Sequence, residues 1–362
     1  MSDVFRELLR KVGSGSHTSK HLTREEAAEA TRLMLTQAAT PAQIGAFMIA
    51  HRIKRPTGEE LAGMLDAYDQ LGPKLSPIES DLPIVLGSPY DGRSRTAPIL
   101  PLTALILNAA GCAVILHGGR RMPTKSGIPL VEIWQGLGVD WAPLTLDQTQ
   151  QVFAQTQFGF VYLPTHFPLA DQLVPYREQI GKRPPFATAE LFWVPYAGEA
   201  LIVAGFVHPP TEEMARSAFA LRGTQRFMTV KGLEGSCDLP RDRTAIIGIQ
   251  RPEQEFTRWL LHPRDYGFAS DEVPLLPTTE LISQLRSVLQ GEPSELLEAA
   301  VWNGGFYLWQ AGQCPDLATG FQTARHLIMS GGAADKLNEL TVAVRSIGLN
   351  RRLEVALPTA PS

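Results

Sequence analysis

The chain has 362 residues, 44% hydrophobic and 19% charged, which is apolar surface enough for two folded cores and far from the disordered class. A net charge of −4 excludes a uniformly basic coat for nucleic acid and leaves only a local basic patch to consider. Cys112, Cys237 and Cys314 lie far apart and match no zinc or disulfide spacing, so neither framework is expected and a reducing compartment is.

Met1 to Ser16 places Asp3, Arg6, Glu7, Arg10 and Lys11 within a short apolar-periodic stretch that has no uninterrupted apolar core. No secretory leader is expected from it, and the expected location is the cytoplasm. Thr23 with Glu26 forms a capping box ahead of an apolar-periodic run through Leu35, which predicts a helix. Thr40 before Pro41 opens a second helix to about Arg52, and the Thr57/Glu60 box opens a third through Leu71. Pro73, Pro77 and Pro83 then mark a linker, so an N-terminal helical domain is expected over 1–78 and a second domain over 79–362.

The second region alternates short apolar runs with helical patterns. Strands are expected at Pro83–Leu86, Cys112–Leu116, Phe158–Leu163, Ala200–Val207, Arg226–Val230 and Thr244–Ile249. Such alternation predicts an α/β domain, larger than the helical one, with a mainly parallel sheet flanked by helices. Ala97 to Leu116 is long enough to flag a membrane span, but Pro98, Pro101, Asn108 and Gly111 read as a buried helix feeding a strand, and no membrane partner is expected. A helix over Leu169–Ile180 is bracketed by prolines, which makes 165–185 a candidate return to the helical domain. Ser294–Ala311, Asp316–Ser330 and Ala333–Ser346 complete the expected helices.

Two loops carry candidate chemistry. Gly87-Ser88-Pro89-Tyr90-Asp91-Gly92-Arg93-Ser94-Arg95 stands between a strand and a helix, where backbone amides can hold a phosphate. Pro89 removes one amide donor there and Tyr90 adds bulk, so a plain strand-to-helix turn is the alternative. His117-Gly118-Gly119-Arg120-Arg121, followed by Thr124, Lys125, Ser126 and Gly127, is the sharper signal: a glycine-rich turn with several donors to an anion. Five cations face the single acid Asp91 between Gly87 and Gly127, and a solvated basic surface is the alternative there. His51, His166 and His208 make no zinc spacing, and Trp302, Phe306 and Trp309 form a helical stripe expected in a core.

The order and spacing of GSPYDG, HGGRRMPTKSG and VKGLEGSCD, behind LTREEAAEATRLMLTQAATPAQIGAFMIAHRIKRPT, resemble the anthranilate phosphoribosyltransferases over nearly the whole chain. The pyrimidine nucleoside phosphorylases are similar more distantly. The resemblance implies a cleft between the two domains, phosphoribosyl pyrophosphate (PRPP) as donor, Mg²⁺, and a homodimer, whose contact is expected at Ala42 to His51. It implies donor and phosphate contacts from Gly87, Ser88, Asp91, Arg93, Arg95, His117, Gly118, Arg120, Arg121, Lys125 and Ser126, and acceptor contacts from His117, His166 and Arg183.

The match is uneven. The family's GTGGD reads Gly87-Ser88-Pro89-Tyr90-Asp91, its NxST side chains fall on Ala97, Ile99 and Leu100, and KHGNR reads Leu116-His117-Gly118-Gly119-Arg120. Its Asp-Glu pair for Mg²⁺ falls on Cys237 and Asp238, leaving Asp238 as the one candidate metal ligand. Losing a single preorganised donor costs about 100- to 1000-fold in rate, so weak or lost transfer is expected. The cleft is expected to bind a phosphate-bearing ligand or, as in a diverged branch that keeps the fold, nucleic acid. An active transferase acting on anthranilate or a related aromatic is the alternative.

Overall fold

The computed structural model describes residues 3–15, 17–80 and 82–356, with side chains through residue 349; the extremes of the expected domains lie outside that range. Four helices come first: α1 (Asp3–Gly13), α2 (Arg24–Leu35), α3 (Pro41–Lys54) and α4 (Gly58–Leu71). Capping boxes at Thr23/Glu26, Thr40/Gln43 and Thr57/Glu60 start the last three, each satisfying two backbone donors that the helix cannot. On α1 the apolar side chains of Phe5, Leu8 and Val12 are buried, and Phe5 packs on Phe47 of α3 with ring centroids 5.3 Å apart. Of the segment Ala42 to His51, expected at a subunit contact, Ile44, Phe47, Met48 and His51 are buried within this chain, while Ala42 and Ala46 are exposed.

Next come β1 (Ile84–Leu86), α5 (Leu100–Ala109), β2 (Val114–Gly118), α6 (Leu130–Leu137), α7 (Leu146–Thr156) and β3 (Phe158–Tyr162). The short helices α8 (Leu163–His166), α9 (Pro168–Asp171), α10 (Val174–Ile180) and α11 (Phe186–Phe192) lead to β4 (Leu201–Gly205), α12 (Pro209–Leu221) and β5 (Phe227–Val230). The chain then runs through β6 (Ala245–Gln250), β7 (Thr257–Leu261), α13 (Thr278–Leu289), α14 (Glu295–Gln310), α15 (Leu317–Met329) and α16 (Gly332–Ala356). The single helix expected over Leu169–Ile180 is broken at Gln172 and Leu173, just ahead of Pro175, and its second part, α10, packs on α3. The apolar run from Ala97 holds only the ten-residue α5, and no described helix is long and apolar enough to cross a membrane.

The sheet order is β3-β2-β1-β4-β5-β6-β7, parallel as far as β5 and antiparallel for β6 and β7. Alternate strand residues face two cores. Ile84, Leu86, Val114, Leu116 and Val203 face α5, α6 and α13–α16, while Val85, Ile115, Ile202 and Ala204 face the N-terminal helices and α10–α12. Both faces are covered, which is why these strands read as unbroken apolar runs. β7 escaped the sequence pattern because four of its five residues are exposed.

From β1 the chain goes outward to β2 and β3 on one side, then returns to place β4 on the other side of β1. The loops leaving β1 and β4 therefore part, and a crevice opens at their C-terminal ends, the position where open α/β sheets bind ligands. α4 and α11 close it from the helical side: Tyr68, Trp193 and His117 make edge-on ring contacts from one to the next.

Candidate functional site

Three loops meet at this crevice: residues 87–99 after β1, 119–128 after β2 and 231–239 after β5. The first two are laced together, with the Gly127 amide donating to the Asp91 carbonyl at 2.9 Å and Arg93 and Ile128 exchanging backbone hydrogen bonds. Glycine is required at the crossing. Gly92 has φ +76°, and a Cβ there would stand 2.6 Å from the Gly127 carbonyl carbon. Ser88 and Gly118 are buried behind these loops.

Tyr90, where close backbone approach would favour glycine, is buried with its hydroxyl oxygen 2.5 Å from His117 Nδ1. Burial holds the His117 imidazole at about 3, far below the ordinary value, so it is neutral at physiological pH. Its Nε2 is buried and has no hydrogen-bond partner. Beneath this pair Arg177 is buried against Glu190 and donates to Met122 Sδ at 3.1 Å.

Asp91, Lys125 and Arg183 come together. Asp91 is 1% exposed, and neither carboxylate oxygen has a hydrogen-bond partner. Arg183 Nη2 lies 3.9 Å from Asp91 Oδ1, and Arg183 Nε is also buried and unpartnered. The helical domain fixes this arginine, since Arg52 of α3 donates to the Arg183 carbonyl at 2.5 Å. Burial lowers the Lys125 ammonium from its ordinary value against the opposing pull of Asp91, and its Nζ is 3.7 Å from Glu234 Oε2.

Arg93 belongs to a different arrangement. Expected as an anion donor, it is buried and engaged inside the protein: Nη1 donates to Asp238 Oδ2 at 2.7 Å and to Ser236 Oγ at 2.9 Å, and Nη2 to Thr96 Oγ1. Asp238, expected as the metal ligand, gives Oδ2 to the same contact and to the Ile99 amide at 3.1 Å, while its buried Oδ1 has no hydrogen-bond partner. Burial raises the Asp238 carboxyl against the pull of Arg93, and the neighbouring Cys237 thiol is pushed well up by burial. Among the described residues no cluster of three His, Cys, Asp or Glu side chains is placed to hold a metal on its own; a Mg²⁺ ion that leans on substrate phosphates needs only one or two carboxylates.

Sequence reasoning missed Glu234. Its carboxylate accepts from the amides of Ser94, Arg95 and Thr96 and from the hydroxyls of Ser94 and Thr96, with Arg93 Nε at 3.4 Å. Burial raises this carboxyl, but the Thr96 amide, Arg93 and the other two amides outweigh it and bring the group down to about 2. The one signal in the sequence was an acid set between Gly232 and Gly235 just after a strand.

The remaining expected contacts are dispersed. Arg120 forks onto Asp171 with both distances at 3.2 Å, Arg121 pairs with Glu132, and Arg95 extends into solvent. Ser126 sits in the turn of the second loop with φ +49°, its amide donating to the Met122 carbonyl. His166, expected at the acceptor, has both ring nitrogens in use: Nδ1 accepts from the Tyr162 amide at 3.0 Å and Nε2 faces the Leu144 carbonyl at 2.9 Å. It is a brace at the end of β3.

The arrangement of a helical bundle against a sheet with ligand loops at its switch point defines a class, and the sequence comparisons agree with it. The helical bundle domain of a glycosyl transferase family matches residues 6–72, and the α/β domain of the same family matches residues 93–334. The chain belongs to this glycosyl transferase family, as an anthranilate phosphoribosyltransferase-like member. The anthranilate phosphoribosyltransferase of Azorhizobium caulinodans is 28% identical over 95% of this chain and 97% of its own length. That of Rhodopseudomonas palustris is 28% identical over 93% and 97%. Among solved structures, the anthranilate phosphoribosyltransferase of Thermus thermophilus superposes with a TM-score of 0.77 at 20% identity, covering 95% of this chain and 100% of that one. The Saccharomyces cerevisiae enzyme in complex with PRPP and Mg superposes with a TM-score of 0.80 at 15% identity, covering 96% and 99%.

Proposed function

We propose that the cleft binds a phosphorylated sugar of the phosphoribosyl class, and that metal-dependent transfer from it is weak or lost. One observation carries this reading: a buried carboxylate with two unused oxygens, Asp91, beside a guanidinium with an unused buried N–H, Arg183. Leaving such groups unpaired costs about 1–3 kcal/mol each, and a ligand that supplies both hydroxyl donors and an anion removes that cost. Sugar hydroxyls suit Asp91, and a phosphate suits Arg183 and Lys125.

The loss of transfer chemistry rests on the other half of the cleft. Ala97, Ile99 and Leu100, where the family resemblance implies polar side chains, are packed into the core, and Oδ2 of Asp238 is held by Arg93. The relatives' names support a second reading, transfer of phosphoribose to anthranilate, because the similarity spans nearly the full length of both chains. Nucleic acid is supported less well, since Arg93, Arg120 and Arg121 each have a carboxylate partner in place of a free groove-facing charge.

The test is loss of anthranilate fluorescence in the presence of PRPP and Mg²⁺. The proposal expects a rate at least about 100-fold below that of the Azorhizobium enzyme measured beside it, in line with the loss of a preorganised donor. A comparable rate would establish the transferase reading.

A further inference from the structure

The amides of Ser94, Arg95 and Thr96 and two hydroxyls converge on one point, with the cations of Arg93 and Lys125 beside it. Consecutive amides aimed at a single centre, with cations in support, make an anion-binding nest. In this chain the nest is filled by the chain's own Glu234 carboxylate. Glu234 reaches it with φ +53°, a left-handed conformation that favours glycine over other residues. Lys125 links the nest to the Asp91–Arg183 half, its Nζ standing 3.7 Å from Glu234 Oε2 while the charge of Asp91 also acts on it.

We infer that Glu234 is a resident anion that sets ligand specificity: it occupies a second anion position in the cleft, so a ligand carrying one phosphate at the Asp91–Arg183 half is accepted and pyrophosphate is excluded. This rests on the phosphorylated-sugar reading for the first position and deepens it. A ligand with two anionic groups must displace a carboxylate that holds six hydrogen bonds. The exclusion does not relax at mildly acid pH, because Glu234 stays ionised down to about 2.

The experiment is calorimetric titration of inorganic pyrophosphate into the wild-type chain, Glu234→Gly and Glu234→Gln. Glycine removes the carboxylate and suits the left-handed backbone. The glutamine keeps the shape and removes the charge. The expected result is a gain of at least about tenfold in pyrophosphate affinity for Glu234→Gly, with Glu234→Gln between it and the wild type. Hydrogen exchange gives a second readout. The 94–96 amides should be protected in the wild type with or without pyrophosphate, and in Glu234→Gly only when it is present. Equal affinity in wild type and a cooperatively melting Glu234→Gly overturns the inference; should Glu234→Gly not melt cooperatively, the same comparison with Glu234→Gln decides. Ribose 5-phosphate is titrated into the wild type alongside. If it fails to bind, the phosphorylated-sugar reading falls, while the pyrophosphate comparison still decides the role of Glu234.

Discussion

Two of the buried carboxylates in this cleft, Glu234 and Asp91, differ most in what surrounds them. Glu234 has three amides, two hydroxyls and three cations, Arg93, Arg95 and Lys125; Asp91 has an arginine at 3.9 Å and no hydrogen bond to either oxygen. The first is saturated and holds three loops in place. The second is paid for by stability elsewhere, the usual mark of a position kept for a ligand. The contrast divides the cleft into a structural half, built on Arg93, Glu234 and Asp238, and the half proposed to bind ligand, built on Asp91, Lys125 and Arg183.

The largest expected effect comes from breaking the structural half. Arg93→Met leaves Asp238 and Glu234 buried without their guanidinium, and loss of one partner of a buried pair typically costs about 3–5 kcal/mol. Urea unfolding checks this; a loss below about 1 kcal/mol would show the two carboxylates to be held by their amides alone.

A second effect separates His117 from Glu234 by pH. His117 has its folded value depressed to about 3, so the unfolded chain takes up a proton near 6.5 and the folded chain does not. Stability from this group is complete above 6.5 and lost as pH falls from 6.5 toward 3, with a slope of up to about 1.4 kcal/mol per pH unit. Glu234 is also depressed, and its share is lost only between about 4.5 and 2. His117→Phe should therefore flatten the stability curve between pH 6 and 4.5, and an unchanged curve there would place the acid limb on other groups.

The smallest effect sharpens the contrast most. Asp91→Ala removes an unsatisfied buried charge and should stabilise the protein by about 1 kcal/mol, whereas the same change at a saturated carboxylate destabilises. Thermal unfolding decides the sign, and destabilisation would mean that Asp91 is a structural partner of Arg183 and Lys125.

Much of the fold was legible because it rests on local signals. Capping boxes at Thr23 and Thr57 and the Thr40 cap before Pro41 placed α2 to α4, and the apolar runs placed six of the strands, since a sheet covered on both faces writes itself as unbroken hydrophobic segments. β7 had no such signal because its residues face solvent, and α10 could not be separated from α9 because the break lies between helical patterns. The site was legible as a set of loops and not as a set of contacts. A count of cations at Arg93, Arg120 and Arg121 suggested a basic cleft, but their acidic partners, Asp238, Asp171 and Glu132, are distant in sequence or lie on another element. Glu234 was invisible for the same reason: its donors lie about 140 residues away.

The most direct test of the division is calorimetric titration of ribose 5-phosphate into the wild-type chain and Asp91→Ala. Binding by the wild type, weakened at least about tenfold in a variant that is no less stable, is the predicted result. Equal affinity in the two proteins would contradict it and place the ligand, if any, away from Asp91.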